Sequence, residues 1–459
     1  MVAFPKPCAH GLAFTPRQAM IAPKKATGTP IMDATHNPSL KSWVASANQP
    51  GQDFPIQNLP FGVFSRAGEA PRGGVAIGEM ILDLRAAISA GLLSGTAAEA
   101  AAGPSLNALM ALGRGASAAL RAQLSALLAA GSSAEPLAAR ILVPMAQAQM
   151  HMPATVANFS DFMASYDHCA RLGVRRDPKN PLPQAFRHLP VAYHSRASSV
   201  RVSGEDVIRP HGQWARSDGE VRFAPSEAMD YELELAIWIA GENALGTPIT
   251  MAEAPKRIFG FGLLNDWSAR DIQRWEMPPL GPFLAKSVST SVSPWVITAE
   301  ALEPFAQAAP AIEPPPLPYL DSTLNRAAGA LGIRMQAYLL STRMRAEGAA
   351  PALLTDTDFA RMYWTAAQMV AHHGTNGCNM LPGDLLGSGT VSGPEDTAAA
   401  CLAELGLGGP ITLPNGETRR WLQDGDEVIF RARAEAPGAV SIGFGECRGA
   451  IAPAIAWPV

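Results

Sequence analysis

The chain has 459 residues, of which 47% are hydrophobic, and this length is enough for about two or three domains. Its formal net charge of −4 argues against the basic surface with which proteins bind nucleic acid, and no apolar run reaches the length of a membrane span. Composition therefore agrees with an intracellular enzyme whose partners are neither nucleic acid nor a membrane.

The N-terminal third is predicted to contain an extension followed by a small domain. Residues 1–50 are rich in Pro, Lys and Thr and lack periodicity, which predicts a partly irregular leader or extension without a signal-peptide stretch. From about residue 53 to 84, alternation between Gly and Pro turns is typical of a small β-barrel. An Ala- and Leu-rich stretch follows to residue 130, and Gly91, Gly95, Gly103 and Gly113 are expected to divide it into helices.

Asp161 and His168 are the first residues along the chain that could carry chemistry. They are seven residues apart, so a helix over 161–168 would place both on one face. A neutral imidazole near a metal-binding carboxylate can take a proton from water, because its pKa lies near working pH. A structural histidine is the alternative, and only the neighbouring groups favour catalysis.

Glu232 and Glu234 lie two residues apart in a segment that reads as a strand, so their carboxylates should share a face. The opposite face holds Tyr231, Leu233, Leu235, Ile237 and Ile239 and should be buried. Two anions held against so apolar a chain repel each other unless a cation or a proton intervenes. All-oxygen ligands suit Mg²⁺ or Ca²⁺ better than Zn²⁺. A solvated strand edge remains the alternative interpretation of the pair alone.

Asp266, Arg270 and Gln273 are predicted to share one face of a helix that ends before Pro278. Such a face offers a ligand for a cation beside donors for a developing oxyanion. A surface ion pair between Asp266 and Arg270 is the alternative, and the apolar residues around them argue against it.

The rest of the chain is predicted to be rich in strands. Ile333, Met335, Ala337 and Leu339 alternate with polar residues, as in a half-buried strand. A helical pattern covers 359–370 after a cap signal at 355–356, and Gly374 lies just past its end. Residues 415–416 (NG) indicate a tight turn. The side chains of His372 and His373 would point in different directions on a helix, so they are not expected to bind one metal ion together. We interpret them as structural residues or as residues that support the metal ligands.

The five cysteines show no paired spacing: Cys8, Cys169, Cys378, Cys401 and Cys447. This usage fits reduced thiols and predicts a cytoplasmic protein. Cys169 follows His168, but adjacent side chains on a helix do not face each other, so a cysteine nucleophile paired with this histidine is disfavoured.

Sequence blocks spread from residue 53 onward resemble the fumarylacetoacetate hydrolase family. They include 53–60 (DFPIQNLP), 193–199 (YHSRASS), 265–273 (NDWSARDIQ), 280–283 (LGPF), 376–379 (NGCN), 382–386 (PGDLL) and 424–428 (DGDEV). The resemblance implies a β-rich α+β fold, with an SH3-like barrel domain over 51–152 and a larger mixed β-roll catalytic domain over 153–459. Residue Met32 begins a segment similar to the usual start of bacterial members, so we interpret residues 1–31 as an added or misassigned leader.

The resemblance also implies residue roles. The metal positions match Asp161, Glu232, Glu234, Asp266, Lys286 and Thr290; the catalytic positions match His168, Glu404, Arg270, Gln273 and Lys286; the substrate positions match Met163, Arg176, Gln273, Met277 and Thr390. His168, oriented by Glu404, would activate water, while Arg270, Gln273 and Lys286 would meet negative charge as it forms. The expected cofactor is Mg²⁺ or Ca²⁺, the expected partner is a small diketo acid, and the expected assembly is a homodimer.

The family activity implies hydrolysis of a carbon-carbon bond in a 1,3-diketo acid, namely 4-fumarylacetoacetate to fumarate and acetoacetate in tyrosine catabolism. Met163 and Met277 stand where the family usually carries Tyr, which makes the substrate wall less polar and leaves a less polar acylpyruvate or 1,3-diketone as an alternative. The chain could also be a related decarboxylase or isomerase, or a non-catalytic binding protein stabilised by a metal. Retention of both His168 and Glu404 disfavours these two functions.

Overall fold

The computed structural model describes residues 32–458, so the predicted leader over 1–31 and Cys8 lie outside the described residues. Residues 32–50 contain two short 3₁₀ turns, Ala34–His36 and Ala45–Asn48. Val44 and Ala47 from this segment are buried in the same hydrophobic core as the strands that follow. The described part of the extension is therefore packed against the N-terminal part of the protein.

The N-terminal part combines short strands with short helices. Its elements are β1 (Phe61–Ser65), β2 (Arg72–Ile77), β3 (Met80–Asp83), α1 (Leu84–Ser89), α2 (Thr96–Ala101), α3 (Asn107–Ala111), α4 (Arg114–Leu128), α5 (Ala138–Ile141), β4 (Leu142–Pro144) and β5 (Gln149–His151). Gly95 and Gly113 precede α2 and α4 directly, each with positive φ. The predicted division of the Ala-rich stretch by glycine is confirmed, because these backbone angles are accessible to Gly at little cost.

The larger C-terminal part is dominated by strands. Its elements are β6 (Phe159–Met163), α6 (Tyr166–Arg176), β7 (Val191–His194), β8 (Val200–Val202), β9 (Val207–Ile208), β10 (His211–Ala215), β11 (Val221–Pro225), β12 (Met229–Asp230), β13 (Leu233–Ile239), β14 (Ile258–Asp266), β15 (Ser268–Ala269), α7 (Arg270–Glu276), β16 (Thr290–Val292), β17 (Trp295–Thr298), β18 (Ala306–Gln307), α8 (Thr323–Ala328), β19 (Ala330–Leu331), β20 (Ile333–Leu340), α9 (Thr342–Ala346), β21 (Ala352–Asp358), α10 (Ala366–Gly374), β22 (Leu385–Gly387), α11 (Leu402–Leu405), β23 (Ile411–Thr412), β24 (Thr418–Arg419), β25 (Glu427–Ala434) and β26 (Ile442–Ala452).

Strands from both parts join one sheet. Among the described residues, this sheet has 13 strands, and its main path runs β4-β3-β2-β1-β17-β14-β13-β22-β6-β7. The pairing of β1 with β17 connects the N-terminal strands to the C-terminal ones. A second sheet in the same described region has 5 strands in the order β21-β20-β25-β26-β9. The predicted strand-rich α+β fold, with a small N-terminal and a larger C-terminal part, is confirmed.

Strands β13 and β14 form the centre of the large sheet. They pair antiparallel from Leu233 opposite Asn265 to Ile239 opposite Ile258. Every residue of both strands is buried, which explains why their sequence is apolar on both faces. The predicted burial of the face opposite Glu234 is confirmed.

Several local predictions are confirmed by the backbone. The alternating segment forms β20, in which Ile333, Met335, Ala337 and Leu339 are buried. Residues 415–416 form the turn between β23 and β24, with Gly416 at positive φ.

The helix expected over 359–370 is partly wrong. The cap signal at 355–356 lies within β21, where those residues pair with β20. Helix α10 begins at Ala366, because the Thr365 side chain accepts a hydrogen bond from the Gln368 backbone N–H. The Gln368 side chain in turn accepts one from the Thr365 backbone N–H. Gly374 is the last residue of the helix.

The predicted helix over 161–168 is wrong. Asp161 lies in β6, and His168 lies in the first turn of α6. Ser165 separates the two elements, since its side chain caps α6 by accepting from the His168 N–H. Asp161 and His168 therefore share no helical face.

The helix expected from Asp266 is also wrong at its start. Asp266 is the last residue of β14, because the apolar run before it pairs with β13 on one side and with β16 on the other. Of the three residues, only Arg270 and Gln273 lie on helix α7, which ends at Glu276, before the two prolines.

No helix within residues 32–458 is long and apolar enough to cross a membrane.

Candidate active site

Asp161, Glu234 and Asp266 converge at the middle of the large sheet. They come from β6, β13 and the end of β14, and each contributes a carboxylate oxygen within 4.8 Å of the others. All three side chains are buried. Strand pairing places them, since Asp161 lies opposite Gly387 in β22, which also pairs with β13. We call these three residues the carboxylate cluster.

The carboxylate cluster fits a divalent cation. Asp161 Oδ1 and Glu234 Oε1 are buried without a hydrogen-bond partner among the described residues. Burial, and then repulsion from the neighbouring carboxylates, raises the pKa of both groups well above the usual value. A hard cation with oxygen ligands would relieve both costs, as Mg²⁺ and Ca²⁺ sites do.

The turn after β22 closes one side of the carboxylate cluster. The Gly389 N–H donates to Glu234 Oε2 at 2.9 Å. A Cβ atom at Gly387 would lie 2.3 Å from Asp161 Oδ1 and 3.0 Å from Glu234 Oε2. Residue 387 must therefore lack a side chain if these carboxylates are to approach each other.

Lys286 lies between Glu232 and the carboxylate cluster. Its ammonium donates to Glu232 and, at 2.6 Å, to Asp266 Oδ2, while Thr290 Oγ1 donates to Asp266 Oδ1 at 3.0 Å. Burial by itself would lower the pKa of Lys286, but the two carboxylates outweigh it and hold that pKa above its usual value. The four predicted carboxylates are thus arranged as a group of three, in which Asp161 and Glu234 each keep an unpaired oxygen, and a fourth, Glu232, which pairs with the Lys286 and Arg270 side chains.

His168 and Glu404 form a buried pair beside Glu232. Glu404 Oε2 lies 2.9 Å from His168 Nδ1, and His168 Nε2 lies 3.9 Å from Glu232 Oε1. Burial by itself would raise the pKa of Glu404, but His168, Ser392 and Arg171 outweigh it and lower the pKa to about 2. Glu404 therefore stays ionised and orients the imidazole so that Nε2 faces the carboxylates.

Arg270 completes the positive side of the site. Its Nε donates to Asp230 Oδ2 at 2.8 Å, and Nη1 donates to Gln273 Oε1 at 3.1 Å. Nη2 lies 2.8 Å from Glu232 Oε1 as an ion pair, but outside hydrogen-bond alignment, which leaves this nitrogen without a hydrogen-bond acceptor among the described residues. The buried guanidinium is thus held by Asp230, Gln273 and Glu232, and Nη2 is the nitrogen that lies beside Glu232.

The predicted substrate residues differ in exposure. Thr390 is buried, and Met163 is half-buried against the main core. Met277 follows α7 and is 43% exposed, while Arg176, also exposed, donates to the Pro181 carbonyl oxygen at 3.3 Å. The structure does not bring Met277 or Arg176 into hydrogen-bonding contact with the carboxylate cluster.

Sequence reasoning missed several polar groups that hold the site together. Tyr193 lies opposite Asp161 in the β6–β7 pairing and donates to Asp266 Oδ2 at 3.1 Å. Ser392 Oγ donates to Glu404 Oε2 at 2.7 Å, and Arg171 Nη1 donates to Glu404 Oε1 at 3.4 Å. Arg171 is three residues after His168 on α6, a spacing that could have indicated it; the position of Ser392 depends on the tertiary fold.

The structure also shows the surroundings of three residues that the sequence disfavoured as site groups, His372, His373 and Cys169. His372 contacts the Tyr319 hydroxyl, and His373 contacts the Ser160 hydroxyl, so neither belongs to the carboxylate cluster. Burial raises the pKa of the Cys169 thiol, which makes it a poor nucleophile.

The fold and the site together define a class of protein: a strand-rich α+β chain with a buried carboxylate cluster beside a His–Glu pair. Comparison with known proteins identifies one family, whose two models match consecutive parts of the chain. The family model described as "Fumarylacetoacetate (FAA) hydrolase C-terminal" matches residues 157–452, and "Fumarylacetoacetase N-terminal" matches residues 57–153. The chain belongs to the fumarylacetoacetate hydrolase family.

Curated relatives are similar over almost their whole length. The chain is 44% identical over 430 residues to the fumarylacetoacetase of Oryza sativa subsp. japonica, with 91% of this chain and 98% of the relative covered. It is 45% identical to that of Caenorhabditis elegans, covering 90% and 100%, and 43% identical to that of Homo sapiens, covering 88% and 97%.

Proposed function

We propose that the protein hydrolyses a carbon-carbon bond of a 1,3-diketo acid, converting 4-fumarylacetoacetate to fumarate and acetoacetate. The observation that carries this proposal is the His168–Glu404 pair beside the carboxylate cluster, in a chain 43% identical to the human protein named fumarylacetoacetase. The reaction needs a base for water, donors for an oxyanion and a means of stabilising an enolate, and the site offers groups suited to each.

The proposed cofactor is Mg²⁺ or Ca²⁺. Asp161, Glu234 and Asp266 would hold it, with Glu232 as the fourth carboxylate and with Lys286 and Thr290 bound to these acids. When bound, such a cation polarises the carbonyl groups of a diketo acid and stabilises the departing enolate. Two unpaired buried carboxylate oxygens support this assignment.

His168 is the proposed general base. Its Nδ1 is held by Glu404, which leaves Nε2 to take a proton from water. The resulting hydroxide adds to the carbonyl carbon beside the bond that breaks. The electron pair of that bond passes to the neighbouring carbon, which then takes up the proton that the imidazole removed from water. One water is consumed, and two acids are formed.

Arg270, Gln273 and Lys286 are the proposed electrostatic partners of the reaction. Arg270 has a buried nitrogen without a hydrogen-bond acceptor among the described residues, and Gln273 accepts from its other terminal nitrogen. Lys286 keeps a positive charge next to Asp266. These groups would stabilise the negative charge that develops on substrate oxygens. Burial of the site strengthens this electrostatic interaction.

A different diketone is the second candidate substrate. Met163 is half-buried and Met277 is exposed, so the proposed substrate wall carries two thioethers in place of hydroxyl donors. Such a wall favours a less polar acylpyruvate or 1,3-diketone.

We further propose Arg176 and Thr390 as substrate contacts, a domain boundary near residues 152–153, a cytoplasmic location and a homodimeric assembly.

The decisive experiment follows the ultraviolet absorption of the diketone as it is consumed, with and without a chelator, over fumarylacetoacetate and less polar analogues. We expect loss of activity with chelator, and a decrease of about 10²- to 10⁴-fold in kcat for His168→Ala. His372→Ala is the matched control, because that histidine contacts Tyr319 and not the site. Full activity of His168→Ala, or no cleavage by the unmodified chain, would refute the proposal.

A further inference from the structure

Asp230 is a buried carboxylate to which the proposed mechanism gives no role. It lies in β12, two residues before Glu232, and pairs with Ser268 of β15 immediately before α7. Its side chain is fully buried. A carboxylate removed from water in this way needs several donors to remain ionised, and the identity of those donors indicates what it does.

The Tyr231 backbone N–H donates to Asp230 Oδ1 at 2.9 Å, and the other donors come from two separate parts of the site. Arg270 Nε donates to Oδ2 at 2.8 Å. The Leu402 N–H donates to Oδ1 at 2.7 Å, and the Ala403 N–H donates to Oδ2 at 3.0 Å. Leu402 and Ala403 belong to α11, the four-residue helix that also carries Glu404. One carboxylate thus holds both the guanidinium and the backbone of the two residues that precede Glu404, which orients His168.

These contacts close a ring of charged groups. Arg270 bridges Asp230 and Glu232; Glu232 faces His168 Nε2; and His168 Nδ1 contacts Glu404. The backbone of α11 then returns from Glu404 to Asp230. In this ring, Asp230 is the group that connects the arginine side to the base side without passing through the reaction space.

We propose that Asp230 is a positioning residue that fixes the Arg270 guanidinium and the Glu404 carboxylate relative to each other. Base and oxyanion donor then face the same reacting carbonyl at a constant separation. This inference deepens the proposed function and rests on it. Asp230 touches neither the carboxylate cluster nor the proposed substrate contacts through any hydrogen bond of the described residues, so its effect should be on orientation rather than on cation or substrate binding.

The positioning role can be tested with an isosteric change. Asp230→Asn keeps the shape but replaces one acceptor oxygen with an N–H₂ group. This group must face either the Leu402 and Tyr231 N–H groups at the Oδ1 position or Arg270 Nε and the Ala403 N–H at the Oδ2 position, all of them donors. Either orientation removes an acceptor from the contacts that join Arg270 and α11 through Asp230. A misplacement of a reacting group by about 1 Å costs about 10²-fold in rate.

Asp271→Asn is the matched control. Asp271 is also buried, lies in α7 next to Arg270, and accepts from Ser226 Oγ at 2.6 Å and from the Glu227 N–H at 2.7 Å. It has no hydrogen bond to Arg270 or α11 among the described residues. Its substitution therefore reports the cost of neutralising a buried aspartate in this region.

We expect Asp230→Asn to lower kcat about 100-fold while KM and the dissociation constant for Mg²⁺, measured by calorimetry, change less than about threefold. Asp271→Asn should change kcat less than about threefold. Equal effects of the two substitutions, or a loss carried by KM or by Mg²⁺ affinity, would overturn the positioning role. If Asp230→Asn does not fold, Asp230→Glu replaces it, and unchanged kcat in that variant would count against the proposal in the same way.

A readout without substrate separates this inference from the proposed function. Hydrogen exchange of the Arg270 Nε–H, followed by NMR, should be slow in the unmodified protein and in Asp271→Asn and at least about tenfold faster in Asp230→Asn. Unchanged protection in Asp230→Asn would overturn the inference even if the enzyme is active. Absence of diketone cleavage by the unmodified chain would instead refute the proposed function.

Discussion

Two buried charged sites, one in each part of the protein, are satisfied in opposite ways. In the N-terminal part, the Arg121 guanidinium donates to the carbonyl oxygens of Gln57 and Asn58 and to Thr35 Oγ1. Burial lowers the pKa of Arg121 to about 10. In the C-terminal part, Asp161 and Glu234 each keep an oxygen without a hydrogen-bond partner among residues 32–458.

The difference separates structural from functional burial of charge. The nitrogens of Arg121 are bound to the chain, so this cation ties the segment before β1 to helix α4. The carboxylate cluster has hydrogen-bonding capacity left over, which costs stability unless a ligand takes it up. Unpaired oxygens on neighbouring buried carboxylates, rather than buried charge by itself, therefore indicate the candidate binding site.

Removing Arg121 should have the largest effect on stability. Arg121→Met keeps a long apolar stem but leaves the Gln57 and Asn58 carbonyls and the Thr35 hydroxyl without a donor. We expect the free energy of unfolding to fall by about 3 kcal/mol, since each unpaired buried polar group costs about 1–3 kcal/mol. Urea denaturation measures this loss. Mg²⁺ affinity should be unchanged, and a parallel loss of affinity would break the comparison.

Neutralising one member of the carboxylate cluster should weaken cation binding without lowering stability, which is the opposite of the effect expected for Arg121→Met. Glu234→Gln retains an acceptor for the Gly389 N–H but removes one charge. We expect Mg²⁺ affinity to fall about 100-fold or more, because a ligand has a larger effect than the groups behind it. In the presence of chelator, the thermal midpoint should not fall, since repulsion within the cluster is relieved. Calorimetry and thermal melts measure the two quantities, and a marked loss of stability in chelator would contradict the interpretation.

A side chain at Gly387 should have an intermediate effect. The Cβ atom of Gly387→Ala would press on Asp161 and Glu234, so that the oxygens must separate. We expect Mg²⁺ affinity to fall about tenfold, within the range found for groups that support metal ligands. Gly408→Ala is a suitable control, because a Cβ atom there meets nothing within 4 Å. Equal affinities for the two variants would show that the tight approach is unnecessary.

A bound cation should stabilise the folded protein by about the free energy that corresponds to a tenfold change in affinity. At a Mg²⁺ concentration of about ten times the dissociation constant, mass action adds about 1.4 kcal/mol. The thermal midpoint of the unmodified chain should therefore rise on adding Mg²⁺, and that of Glu234→Gln should not. An equal rise in both variants would place the cation elsewhere.

Local patterns predicted those elements whose residues meet their neighbours in the chain. Alternation in β20 and the glycines before α2 and α4 are read from adjacent residues, because strand faces and helix caps are local properties. Three predicted helices failed at their starts, since the sheet pairing of Asp161, of Asp266 and of residues 355–356 overrode local patterns that also suit a helix.

The sequence by itself determined which residue types the site contains: carboxylates, a histidine, an arginine and a lysine, recognised through family blocks that extend over most of the chain. Only the tertiary structure decided which oxygens remain unpaired, that Lys286 neutralises Glu232, and that Asp230 connects Arg270 to α11. The physical reason is that burial and hydrogen-bond satisfaction depend on groups far apart in the chain, such as His168 and Glu404, which sheet pairing and packing bring together.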